Sequence, residues 1–366
     1  MALQQSSYRG CLLGMAVGDA MGYTVDNRSW QEIQEDYGPN GLLGYDLVNG
    51  YADVTSYTQL AAFTCNGLLF GLTRGQMTGK MAPFIKYIGL SSREWAASQR
   101  PWGRPSRTYC WLLRKAELCR RHCMDTRMLD TLSRENLGTP ETPVNNFDGP
   151  GSLTSAIGVG LFFHEDRMDQ DEIDRLGAEA VALTHGDPQT FLVGAFLTYL
   201  TTQVLRSQEE LEVLVEKTME AFKAQFDHDY HRPVNQICNL VRQAMDLSVN
   251  PNVTFVDAME RLQCRTGAQV LAGAVYALLA GEEDFDTSLI IAVNHSGASA
   301  AVGALVGGIL GARLGLEALP EFYLECLECG EALQELADDL YQGCPFEKGD
   351  VFFDDEWDSK YCHGRK

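Results

Sequence analysis

Apolar residues recur at three- and four-residue intervals through most of the chain. That spacing predicts helices over 177–183, 191–204, 209–226, 234–247, 255–262, 269–279 and 331–340, each with one stripe to bury. Strict alternation is scarce, and 351–353 is the best strand candidate, a short one. Turn residues separate the helical runs at 37–41, 100–103, 139–143, 186–188 and 250–252, and 138–151 is the longest expected loop. No repeat, low-complexity tract or linker divides the chain. The expectation is one all-α domain over 1–366, with functional loops.

Two runs break the usual helix rule. Gly10, Gly14, Gly18 and Gly22 fall four residues apart, and so do Gly303, Gly307 and Gly311. A glycine inside a helix costs about 0.5–1 kcal/mol relative to alanine, so such a stripe calls for a compensating contact. Two flat helices packed together at the centre, holding a site at their ends, would supply it.

Composition narrows the classes. Of 366 residues, 29 are Lys or Arg and 50 are Asp or Glu, for a net charge of -21, which argues against nonspecific nucleic-acid binding. Eleven cysteines without a repeating interval read as reduced thiols in a cytoplasmic protein, not a disulfide framework. No signal-peptide core precedes Gly10, and the most membrane-like stretch, 298–312, is too short to span a bilayer, so no membrane partner is expected. Cys326 and Cys329 form an isolated Cys-x-x-Cys without a second pair for zinc. Arg114, Lys115, Arg120 and Arg121 could attract a phosphate or form a solvated helix face. The acidic end, 352–358, is expected to pack its aromatics on the body with its charges in water.

Four segments carry a family resemblance. They are GCLLGMAVGDAMG (10–22); YGPNGLLG (37–44) with DVTSYTQ (53–59); PVNNFDGPGSLTSAIGVGL (143–161) with ALTHGDP (182–188); and AVNHSGASAAVGA (292–304). In this order and spacing they resemble the ADP-ribosylglycohydrolase family over about 10–315, leaving a C-terminal helix and acidic tail to 366. The resemblance implies an orthogonal all-α bundle, cleavage of glycosidic bonds to ADP-ribose, and two central magnesium ions held by Thr-Asp-Asp-Thr-Gln and Gly-Asp-x-Asp-Ser/Thr motifs. Magnesium is a hard cation that wants oxygen ligands at octahedral angles, which adjacent carboxylates supply.

The chain departs from the pattern at those motifs. Thr55, Thr58 and Gln59 are kept, but Ser56 and Tyr57 stand where the family has two aspartates. Ala298 and Ala300 take the other two aspartate places, and Ala301 the hydroxyl place. No metal cofactor is therefore expected. In the third segment Gly149 and Gly151 survive, and with Ser152 beside a helix start near Leu153 they could cradle a diphosphate. Asp148 and Ser155 replace the family's lysine and arginine.

Candidate chemistry remains in a few residues. Asp26, where the family has a glutamate, is the candidate catalytic carboxylate, and metal-free cleavage would need a second one, Asp19 or Asp53. Asp19 has the simpler reading of capping or orienting the loop after its helix. Candidate ligand contacts are Asp19, Thr55, Ser56, Tyr57, Thr58, Gly149, Gly151, Ser152, His295, Gly297 and Ser299. His185 reads as a turn histidine satisfying backbone groups, and Asp187 before Pro188 as a helix N-cap. The expected function is a metal-free pseudoenzyme binding ADP-ribose, a related nucleotide or a protein partner. A hydrolase working through Asp26, or a structural partner of an active relative with Tyr57 and Phe147 filling the cleft, are the alternatives.

Overall fold

A computed structural model describes residues 4–47, 49–101, 108–163, 168–346 and 354–362. The strand expected at 351–353 lies outside them. The described residues form α-helices and short 3-10 turns, and their sole β feature is a bridge between Ala52 and Leu327.

In chain order the helices are α1 (Gln5–Tyr23), α2 (Trp30–Tyr37), α3 (Ser56–Thr78), α4 (Phe84–Ser98), α5 (Arg127–Leu132), α6 (Thr154–Phe162), α7 (Gln170–Ala182), α8 (Pro188–Arg206) and α9 (Leu211–Ser248). Then come α10 (Phe255–Leu262), α11 (Gly267–Ala280), α12 (Phe285–Val293), α13 (Ser299–Leu314), α14 (Glu321–Glu325), α15 (Gly330–Gln342) and α16 (Asp355–Tyr361). The periodic runs fall on these elements, within two residues at their ends. α9 comprises two helical stretches, as expected over 209–226 and 234–247, which meet at a kink where Tyr230 is non-helical (φ -130°, ψ 41°), just before Pro233. Proline removes one helical hydrogen bond and crowds the preceding turn, which accounts for the kink.

Local chemistry sets several helix starts. Ser29 and Glu32 form a capping box on α2, and Thr266 and Gln269 form one on α11. Asp187 accepts from Gln189 N and Thr190 N with Pro188 in the first turn of α8, the N-cap expected there.

At the centre α1 and α13 run antiparallel. Their glycines face one another in pairs: Gly10 with Gly311, Gly14 with Gly307, Gly18 with Gly303, and Gly22 with Ser299. A β-carbon on any of these glycines would overlap the opposing backbone carbonyl, so the seam exists because both stripes lack side chains. Nearly every residue of α1 from Gly10 to Gly22 and of α13 from Ser299 to Ala312 is buried. The seam carries the C-terminal end of α1 against the N-terminal end of α13, and α3 begins beside them.

The last described helix, α16, is anchored to the body. Trp357 and Tyr361 are buried while Asp355 and Glu356 stay exposed. Trp357 Nε1 donates to Thr73 Oγ1 (3.0 Å), and Tyr361 OH donates to Asp339 Oδ2 (2.7 Å). Buried Lys360 bridges Asp339 (3.0 Å) and Glu335 (3.0 Å). The eleven cysteines form no disulfide, and among the described residues no helix is long and apolar enough to cross a membrane.

Candidate functional site

The ends of α1, α3 and α13 meet around a corner built from the sequence-predicted residues. Asp19, on α1, is fully buried and spends its carboxylate on the start of α3. Thr55 N (2.8 Å) and Thr58 N (3.1 Å) donate to it, as do the hydroxyls of Thr55 (2.7 Å) and Thr58 (2.6 Å). Burial pushes its pKa up, and these four donors oppose the rise. Asp19 thus orients the beginning of α3 and not the loop that follows its own helix. A carboxylate at a helix N-terminus also sits favourably in the helix dipole.

Asp26 plays the matching part for α13. Its Oδ1 accepts from Ala300 N (2.9 Å) and its Oδ2 from Asn27 Nδ2 (2.6 Å). Burial raises its pKa to about 6, against the opposing pull of those two bonds. Asp53, the other carboxylate considered, is ion-paired with Arg120, which also reaches Glu328. The basic cluster is similarly engaged: Lys115 meets Glu335 (3.1 Å) and Arg114 Nη2 donates to Ser359 O (2.6 Å).

The positions where the resemblance places metal ligands are interior. Ser56 and Ala300 are fully buried, Ala301 is 1 % exposed, Tyr57 3 % and Ala298 5 %. The Tyr57 phenol lies near Asp26, Asp19 and Asp125, and burial, followed by the charge of Asp26, holds its pKa well above the ordinary range. Ser56 is used twice by a neighbouring segment: its N donates to His122 O (3.0 Å), and its Oγ accepts from Met124 N (3.0 Å). Gln59 Nε2 adds a bond to Arg120 O (3.0 Å). The stretch from Arg120 to Met124 is therefore stitched across the first turn of α3.

His295, Gly297 and Ser299 bond inward. His295 is fully buried, with Nε2 2.9 Å from Ala292 O and Nδ1 accepting from Gly297 N (2.9 Å); burial lowers its pKa to about 4. Gly297 O accepts from Asn27 N (2.9 Å), and Ser299 Oγ donates to His295 O (3.3 Å). Asn294 pins the 37–44 loop, accepting from Leu42 N (2.8 Å) and donating to Leu42 O (2.9 Å). Gly41, with φ +70°, passes so close to the Asn294 amide that a side chain there would collide with it.

A second cluster forms around Gly149, Gly151 and Ser152, ahead of α6. His185 Nδ1 lies 2.9 Å from both Ser152 Oγ and Thr184 Oγ1, so its ring meets side-chain hydroxyls where backbone groups were expected. Asp125 and Arg127, which the sequence patterns did not single out, complete the cluster. Arg127 Nε and Nη2 donate to the Asp125 carboxylate (2.9 and 2.7 Å), and its guanidinium lies 4.3 Å from the Phe147 ring centroid. Phe147 is half-buried beneath that guanidinium, with its ring centroid 6.4 Å from that of His185.

The ADP-ribosylglycohydrolase family model matches residues 1–349. The chain belongs to the ADP-ribosylglycohydrolase family. A similar curated protein, an uncharacterized protein of Archaeoglobus fulgidus, is 26% identical over 344 residues, covering 92% of this chain and 97% of the relative. A solved structure described as an ADP-ribosylglycohydrolase-related protein complex shares the fold, with a TM-score of 0.61 and 21% identity over 93% of this chain and 98% of that one.

The residues at the positions where the family resemblance places metal ligands do not fit a pair of magnesium ions. They offer one hydroxyl already bonded to Met124, one phenol and three methyl groups, where divalent cations need several anionic oxygens. Among the described residues no group of three or more His, Cys, Asp or Glu converges as metal ligands would.

Proposed function

We propose that this chain is a metal-independent, non-hydrolytic member of its family that binds an ADP-ribosyl-type ligand. The reading is carried by how the corner's charges are used. Asp19 gives its carboxylate to four donors of α3, Asp26 caps α13, and buried Ser56, Tyr57, Ala298 and Ala300 occupy the former ligand positions. Binding capacity is retained at the Gly149–Ser152 loop, where His185, Asp125 and Arg127 surround a glycine-lined backbone. Isothermal titration with ADP-ribose, with magnesium or with EDTA, tests this, together with an assay for release from an ADP-ribosylated peptide. The expected result is the same affinity in both buffers and no release. Magnesium-dependent release would refute it.

One observation favours hydrolysis instead. A carboxyl held at about 6 is suited to donate a proton near neutral pH, and Asp26 is such a group. Against this, metal-free glycosidic cleavage needs a second free carboxylate, and Asp19 and Asp53 are both engaged. EDTA-resistant cleavage that disappears in Asp26→Ala would decide for this reading.

A further inference from the structure

A recess of about 390 Å³ lies between α4 and α7, bounded also by the 137–141 segment. That volume suits a small organic ligand. Ile85 and Leu90 of α4, Leu183 of α7 and Leu137 give it apolar walls. No residue of the corner formed by α1, α3 and α13 lines it.

Charges of opposite sign line it from different elements. α4 contributes Lys86 and Arg93, α7 contributes Glu179, and the loop contributes Glu141. In a chain of net charge -21 this is a balanced set. Arg93 is committed, its Nη2 donating to Arg134 O (2.7 Å) and Glu135 O (2.7 Å). The side chains of Lys86, Glu141 and Glu179 have no hydrogen-bond or ion-pair partner among the described residues. Glu179 is half-buried. Burial, followed by the negative charge of Glu141, raises its pKa against the opposing pull of Arg175. A carboxylate in this position is stabilised by any cation that reaches it.

Gly89, inside α4, also lines the recess. Glycine weakens a helix interior, so its presence there needs a reason. The glycines of α1 and α13 are required by an opposing backbone, but no backbone stands over Gly89. A β-carbon there would meet Leu137 Cδ1 at 3.0 Å and Leu183 Cδ2 at 4.0 Å, both side-chain tips of the recess wall. What this glycine keeps is open volume between the charged sides.

We infer that this recess binds a free apolar α-amino acid, with its ammonium at Glu179 and Glu141, its carboxylate at Lys86 and its side chain over Gly89 among the leucines. An α-amino acid carries both charges on one carbon, so it serves both sides at once. An amine or an acid alone leaves one side without a partner. The inference stands apart from the function proposed above, because the two sites share no residue.

Ligand-observed NMR titration of the full chain with L-phenylalanine, 3-phenylpropionate and 2-phenylethylamine as separate probes tests it. The three share a ring and differ in charge. L-phenylalanine is expected to bind wild type at least about tenfold more tightly than either of the others, the loss that one charge-assisted hydrogen bond brings. Glu179→Gln should weaken L-phenylalanine at least about tenfold and leave 3-phenylpropionate no weaker. Lys86→Met should weaken L-phenylalanine and 3-phenylpropionate and spare 2-phenylethylamine. Gly89→Leu, which fills the recess, should abolish binding of all three. Circular dichroism melts establish that each variant is folded. If Gly89→Leu is not, the two charge variants carry the comparison. No binding of L-phenylalanine to wild type would overturn the inference, and so would equal binding of all three probes. L-phenylalanine binding unchanged in the folded variants would place the ligand elsewhere and overturn it too.

Discussion

Replacing Asp26 by asparagine should make this protein more stable at neutral pH. Asp26 ionises at about 6 in the folded chain, against an ordinary 3.8, because burial disfavours its charge more than its two hydrogen bonds favour it. A raised folded pKa in an acid means that the folded state holds a proton the unfolded state has released. The stability cost is therefore absent below pH 3.8, grows between 3.8 and about 6, and is complete above that. One pH unit is worth about 1.4 kcal/mol, which sets a ceiling of about 3 kcal/mol. Asp26 is only partly buried by surface area, and solvent screening brings the expected effect to about 1–2 kcal/mol. Asparagine keeps the carbonyl that accepts from Ala300 N, and exposed Asn27 can turn away. Urea denaturation of wild type and Asp26→Asn at pH 4, 5.5 and 7.5 measures the difference. Other buried acids, such as Asp174 with a pKa raised by burial to about 8, titrate in both proteins and cancel. A variant less stable than wild type at pH 7.5, or a difference that does not shrink toward pH 4, would refute the reasoning.

Further outcomes follow from packing and charge. Gly18→Ala should destabilise by about 2 kcal/mol or more in chemical denaturation, because its methyl meets the Gly303 carbonyl and no flexible side chain can yield. Gly308→Ala, whose methyl would meet Met15 Cε at 3.2 Å and Ile157 Cδ1 at 3.5 Å, should be neutral or up to about 1 kcal/mol more stable through helix propensity. Lys360→Met should cost about 3 kcal/mol by the same assay, since it strands the buried Asp339 carboxylate with Tyr361 as its main partner. A chain carrying Ser56→Asp, Tyr57→Asp, Ala298→Asp, Ala300→Asp and Ala301→Thr should melt well below wild type in EDTA. It should recover in millimolar magnesium, where wild type shows no change.

Much of this architecture was legible because it is written in spacing. The glycines of α1 and α13 recur at the same four-residue step, so each stripe implies its counterpart. The degenerate motifs at 55–59 and 297–301 mark both helix starts that meet at the corner. What escaped is chemistry between groups distant in sequence and without periodicity. Ser56 bonds the backbone of His122 and Met124, a pairing that uses main-chain atoms common to every residue. Asp125 lies in an irregular stretch and Arg127 opens the short α5, and only folding brings them to Phe147 and His185. Asp19 was read as serving the loop after its helix, because sequence shows what is near in the chain and not that α3 starts alongside. The kink in α9 was legible as well, in the gap between the periodic runs 209–226 and 234–247.

The glycine seam between α1 and α13 also poses a problem of alignment during folding. Because both stripes repeat every four residues, sliding one helix along the other by a single repeat sets glycine against glycine again, so the groove alone scarcely distinguishes neighbouring settings. Among the contacts that do distinguish them are the latches at the ends: Asp26 reaches the first turn of α13, and Leu316 N donates to Ser6 Oγ at the other end. The same carboxylate that weakens the finished protein at neutral pH therefore acts as its vernier, selecting one alignment among near-equivalent ones.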